Sequence, residues 1–120
     1  MTHDFETAKE HFVDGVAAFE AGRYADAERD FLASLALVPA RVSTLANLAA
    51  TRIKLSRPEE ALALLEQAIA VDPENVDAWC HRGEALADLG RHDEARASLQ
   101  TAQRELIEET GYRAAKWAFL

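Results

Sequence analysis

The chain repeats itself every 34 residues. Laid against itself at that offset, Ala27, Ala61 and Ala95 coincide, as do Arg23, Arg57 and Arg91. Gly15, Ala49 and Gly83 fall together, then Gly22, Ser56 and Gly90, then Phe31, Leu65 and Leu99. Ser34, Ala68 and Ala102 follow, and Pro39 and Pro73 share a register in which the third residue is Ile107. A fixed period of this length marks a chain built from stacked supersecondary units. It defines units at residues 8–41, 42–75 and 76–109 and leaves 110–120 outside the repeat.

Each unit reads as two amphipathic helices. In the second, Leu45, Leu48, Arg52 and Leu55 follow helical spacing, with Ala49 beside Leu48. Ser56-Arg57-Pro58-Glu59 then interrupts the pattern, and proline suits a first helical turn because its missing N–H has no partner there. Ala61, Leu62, Leu64, Leu65, Ala68 and Ile69 carry the next helix to Asp72-Pro73. Gly22 and Gly90 supply the tight turn in the outer units, where a positive φ is needed. Gly or Ala opposite a bulky Phe or Leu lets antiparallel helices approach closely. One such hairpin cannot bury its own apolar face, so the three must stack.

This pattern resembles the tetratricopeptide repeat family, whose unit is a 34-residue helix-turn-helix. The family motif of Trp, Leu-Gly, Tyr, Ala, an aromatic and Pro is matched by Trp79, Gly83, Leu86, Ala95 and Leu99 in unit three. Unit two supplies Leu45, Leu48-Ala49, Ala61, Leu65 and Pro73, and unit one Gly15, Ala27, Phe31 and Pro39. The departures are His11 and Asp14 in unit one, and Arg82 and Ile107 in unit three. The resemblance implies an all-α, right-handed solenoid of three hairpins with a C-terminal capping segment at 110–120. It also implies a protein-interaction module, an adaptor, scaffold or co-chaperone-like domain, whose first helices line a concave groove that takes a peptide or a partner's helix.

Helical spacing then assigns the groove stripe. If Gly15, Ala49 and Gly83 face the paired helix, the stripe holds Phe12, Val13, Val16 and Phe19 in unit one. Unit two contributes Ala46, Asn47, Ala50, Ile53 and Lys54, and unit three Asp77, Cys80, His81, Glu84 and Asp88. The groove is expected to be apolar at one end and acidic at the other, suiting a partner with apolar and basic residues. The same stripe is also compatible with Phe12, Val16 and Phe19 serving as core and the acids as a solvated face. A subset of the family grips acidic chaperone tails with Lys and Asn in unit one, Asn in unit two, and Lys and Arg in unit three. Here those positions hold Phe12, Val16, Asn47, Asp77 and His81, so a carboxylate-gripping clamp is not expected.

The chemistry of catalysis is missing. Cys80 and His81 are adjacent, so on a helix they point about 100° apart and cannot act as nucleophile and base. Asp77, His81, Glu84 and Asp88 share a face, but one histidine among surface carboxylates is a weak metal set. No phosphate-cradling loop, nucleophile elbow or paired-histidine motif occurs. No enzyme activity, cofactor or metal is expected.

Composition narrows the setting. At 120 residues, 49% hydrophobic and 28% charged, the chain suits one globular domain. Its net charge of −8 disfavours nucleic acid. No apolar run approaches a membrane span, the first ten residues show no secretory pattern, and the lone Cys80 excludes an internal disulfide, so a cytoplasmic setting is expected. Beyond the repeat, GYRAAKWAFL is basic and aromatic. Through Trp117, Phe119 and Leu120 it could dock into a neighbour's groove and build a homo-oligomer, or it could cap unit three. A regulatory appendage of a transferase-type enzyme is a further reading. Without a proline at Ile107 the last helix is expected to run to Thr110-Gly111, with Gly111 as a left-handed cap and Tyr112 packed on Ile107.

Overall fold

The computed structural model describes residues 2–118, with side chains from His3 to Gly111. Among these, six helices follow one another: α1 Thr2–Glu20, α2 Tyr24–Leu37, α3 Val42–Lys54, α4 Pro58–Val71, α5 Val76–Asp88 and α6 His92–Ala118. They form three antiparallel hairpins, α1/α2, α3/α4 and α5/α6, stacked in chain order as an all-α solenoid.

The turn inside each hairpin is built the same way three times. The N–H of Arg23 donates to the carbonyl of Ala18 at 2.8 Å, that of Arg57 to Arg52 at 2.8 Å, and that of Arg91 to Leu86 at 2.9 Å. This is the six-to-one bond of a Schellman ending, which needs a left-handed residue just before the donor. Gly22 and Gly90 fill that place at φ +77°, and Ser56 fills it at φ +63° despite its side chain. The recurring arginine then pairs with an acid three residues on: Arg23 with Asp26, Arg57 with Glu60, Arg91 with Glu94. The hydrogen bond from Arg91 holds the Glu94 carboxyl below its ordinary range and raises the guanidinium of Arg91.

Packing alternates small against bulky. A Cβ on Gly15 would lie 2.6 Å from a ring carbon of Phe31, and one on Gly83 would lie 2.7 Å from Leu99. Core clusters cross the unit boundaries. Leu48 of unit two packs with Ala18, Ala27 and Phe31 of unit one, and Ala78 and Ala85 of unit three join Leu45, Ala49 and Leu65 of unit two. Each hairpin therefore completes its core with its neighbour. Two polar braces span the same joints. Glu28 of α2 accepts from Arg52 at 3.0 Å and also pairs with Arg57, while Arg82 of α5 donates to Glu66 of α4 at 2.7 Å and to Ser98 of α6. Arg82 thus fills the place of the motif's leucine with an inter-unit hydrogen-bond hub, its guanidinium also 5.7 Å from the Trp79 ring.

Two boundaries differ from the sequence expectation. Helix α1 begins at Thr2, before the repeat register, and its early turn is tied down where Ser34 Oγ donates to the carbonyl of Ala8 at 2.8 Å. Helix α6 does not end at Gly111, which has no positive φ, but continues to Ala118. The Gly111 cap is therefore replaced by unbroken helix, and the expected packing of Tyr112 on Ile107 lies outside the described side chains. One interior glycine costs about 1 kcal/mol, while Arg113, Ala114, Ala115 and Lys116 beyond it are strong helix formers. Residues 110–118 thus prolong the last helix. The Cα radius of gyration, 15.6 Å, exceeds the ~13.6 Å of a compact domain of this length, in keeping with a solenoid carrying a long final helix.

Candidate binding groove

Helix α3 touches both α1 and α5, so the first helices of the three units lie side by side and form one inner wall. A hollow of about 250 Å³ opens there. Its lining is Val16, Phe19 and Glu20 from α1, Phe31 from α2, Asn47 and Ala50 from α3, and His81 from α5. All three units contribute at least one lining residue.

Five residues of the sequence-derived stripe line this hollow: Val16, Phe19, Asn47, Ala50 and His81. Val16 and Phe19 are half-buried, resting against the Phe31–Leu48 cluster, with the Phe19 ring 5.3 Å from Tyr24 in an edge contact. They are neither pure core nor free surface: one side of each is packed and the other lines the hollow. Ala50 is buried in the floor, and Asn47 keeps its side chain partly open. His81 Nδ1 lies 3.2 Å from Glu84 Oε1 at the rim.

The other stripe residues sit elsewhere. Phe12 leans on Phe31 at 5.9 Å with the Arg41 guanidinium 5.8 Å above its ring, one turn away from the hollow. Val13 borders a separate shallow depression with Lys9, Glu10 and Asp14. Ile53 packs on the second core cluster, and Lys54, Glu84 and Asp88 are exposed. Asp77 borders a depression shared with Asp72, Glu74, Leu106 and Glu109. Half-buried Cys80 has its thiol raised above the ordinary range, by burial first and then by Asp77 and Glu84. Trp117 lies within α6 but its side chain is outside the described residues, as are Phe119 and Leu120 altogether.

Two lining residues were missed from sequence. Glu20 stands at the same 34-residue register as Lys54 and Asp88, a signal sufficient to find it. Phe31 carries no such signal: it reads as core, and it is core, but its ring also backs the hollow. Among the described residues no three His, Cys, Asp or Glu side chains are arranged to hold a metal, and no helix is long and apolar enough to cross a membrane.

The profile of the tetratricopeptide repeat family matches residues 46–109, more than half the chain. The chain belongs to the tetratricopeptide repeat family. Its fold superposes on solved members: the Arabidopsis OM64 TPR domain, with TM-score 0.83 and 25% identity, covering 85% of this chain and 84% of that one. The second TPR of Spaghetti (RPAP3), solved bound to the HSP90 peptide SRMEEVD, gives TM-score 0.79 and 28% identity over 84% and 94% of the two chains. Among curated proteins, the inactive peptidyl-prolyl cis-trans isomerase FKBP6 is 39% identical over 67 residues in Rattus norvegicus and over 66 in Homo sapiens. These matches cover 56% and 55% of this chain, and they span about a fifth of the FKBP6 proteins' length.

Proposed function

We propose that this repeat domain is a non-catalytic adaptor, and that the hollow between α1, α3 and α5 anchors an apolar side chain of a bound peptide or helix. The observation that carries the reading is the lining itself. Val16, Phe19 and Ala50 supply an apolar floor assembled from two units, while Asn47 stands beside it with an amide able to donate to and accept from a peptide backbone. A groove that offers an apolar pocket and a few polar groups is a general peptide-recognition mode. That the similar RPAP3 domain was solved with a peptide bound supports the same use of the fold here.

The expected ligand differs from SRMEEVD. Glu20 at the hollow, Glu84 beside His81, and Asp77 and Asp88 on α5 give this wall an acidic character. Carboxylates are repelled by such a wall, and a Lys or Arg flanking the apolar anchor is attracted. Selection from a random peptide library tests the proposal. Enriched sequences should pair an aliphatic or aromatic anchor with Lys or Arg, and Ala50→Arg, which fills the hollow, should abolish their binding. Enrichment of acidic peptides, measurable affinity for SRMEEVD, or binding unchanged by Ala50→Arg would overturn it.

A further inference from the structure

The first helices of the three units end on residues of one register. Helix α1 closes on Glu20, α3 on Lys54 and α5 on Asp88, each 34 residues from the next. All three residues are exposed, and none has an ion-pair partner among the described residues. Because α3 touches both α1 and α5, these ends stand in a row: acid, base, acid. The axes of packed helices lie about 8–10 Å apart, which sets the step between successive charges. Glu20 also lines the hollow, so the row borders the groove at that rim.

Two members of this row stand where the fold disfavours them. The C-terminal end of a helix carries partial negative charge, which suits Lys54 and opposes Glu20 and Asp88. Neither α1 nor α5 has a basic residue in its last turn to offset the acid. By contrast, Asp26, Glu59, Asp77 and Asp93 sit in first turns, where the helix favours them. Acids that weaken their own helices and pair with nothing inside the described domain are left with a role outside it.

We propose that Glu20, Lys54 and Asp88 form a charge code for the segment bound across the first helices, and that this segment presents a basic, an acidic and a basic residue at matching steps. The inference rests on the peptide-binding reading of the hollow and names its partner more closely. That partner is an extended segment, because the Asn47 amide can bond only a backbone whose N–H and C=O groups are not already spent within a helix. A polyproline II segment turns once in three residues and rises about 9 Å in doing so. Its residues i, i+3 and i+6 therefore fall on one face at the step of the row. No single sign of charge satisfies the row: Lys54 repels a uniformly basic segment, and Glu20 and Asp88 repel a uniformly acidic one.

Two synthetic proline-spaced peptides provide the test. Both carry one aromatic anchor, which fixes the register in the hollow, and three charged residues at steps of three. The order is Lys-Asp-Lys in one and Lys-Lys-Asp in the other, so composition and net charge are equal. Calorimetric titration of the full chain should show the first peptide binding about tenfold more tightly, the effect of realigning several exposed ion pairs. The difference should shrink at 1 M salt, where the Debye length falls to about 3 Å. Lys54→Glu makes the row uniformly acidic and should erase the preference. Glu20→Gln with Asp88→Asn relieves the two helix ends, so it should raise the melting temperature while weakening binding of the Lys-Asp-Lys peptide. Circular dichroism on each variant separates lost binding from lost helix. Equal affinity of the wild-type chain for the two peptides, or a preference that survives Lys54→Glu, would overturn the charge code and leave the reading of the hollow standing. Failure of both peptides to bind would also overturn the code, and the reading of the hollow falls with it if library-selected peptides fail as well.

Discussion

Gly15 and Phe31 are matched to each other: a Cβ on Gly15 would lie 2.6 Å from Cε1 of Phe31. The equivalent pair in unit two is Ala49 with Leu65, and both members are fully buried. The two pairs solve one geometric problem by trading volume between facing helices. Gly15→Ala should therefore destabilise by about 1–3 kcal/mol, although alanine is the better helix former. Phe31→Leu alone should cost about 1 kcal/mol or more from lost packing. Together they recreate the unit-two pair, so denaturant titration of the double mutant should show positive coupling. Strict additivity would mean that the close approach is relieved elsewhere.

Ser56 occupies a left-handed position that glycine fills in the other two units. A Cβ at Gly22 or Gly90 meets no neighbour within 4 Å, so the conformation alone sets the cost there. Ser56→Gly should stabilise the fold by up to about 1 kcal/mol, and Gly22→Ala should destabilise it by about 1–2 kcal/mol. Thermal melts of the two variants should move in opposite directions.

Glu28 is the shared acceptor for Arg52 and Arg57, with the Glu28 and Arg52 side chains only about one-fifth exposed. Glu28→Gln keeps the shape and removes the charge. It should cost about 1–2 kcal/mol, more than a surface pair, because Arg52 is left partly buried with only the more distant Glu60 at 3.7 Å. Urea unfolding at low and high salt separates this from a packing effect, since the loss should narrow as salt rises.

The Cys80 thiol is pushed up by burial and by the neighbouring carboxylates of Asp77 and Glu84. A raised pKa means less thiolate at a given pH, so alkylation by iodoacetamide at pH 8 should be slower than for a free cysteine. Neutralising both acids, Asp77→Asn with Glu84→Gln, lowers the pKa and should speed alkylation, though not to the free rate, because burial remains. A pH–rate profile reads the shift directly.

Phe12 and Phe19 sit at the border between core and groove. Phe12 packs on Phe31 away from the hollow, whereas Phe19 lines it. Phe12→Ala should chiefly lower stability, by roughly 1–3 kcal/mol for a half-buried ring. Phe19→Ala should lower both stability and affinity for the library-selected peptides. Parallel melts and peptide titrations of the two variants distinguish these roles.

The period, the hairpin turns and the small-against-bulky pairs were legible in the sequence because each rests on residues that are near in the chain or related by a constant offset. Gly22, Gly90 and the Arg23, Arg57 and Arg91 register correspond to local hydrogen bonds that a short segment can form by itself, and Pro58 opens α4 where no N–H partner is needed. The stack determined the rest. Helical spacing placed Val13 and Asp77 on the same stripe as Val16 and His81, but the packing of the three hairpins brings only some members of that stripe to one hollow and leaves Val13 and Asp77 beside separate depressions. It also brings in Glu20 and the back of Phe31. The end of the array was decided in the same way. Glycine at 111 offered a stop, but a single glycine weakens a helix by only about 1 kcal/mol, and flanking residues that favour the helix carry α6 through it. Local chemistry fixed what each unit is; the number of units stacked, and what lies beyond the last of them, fixed which of its surfaces remain open.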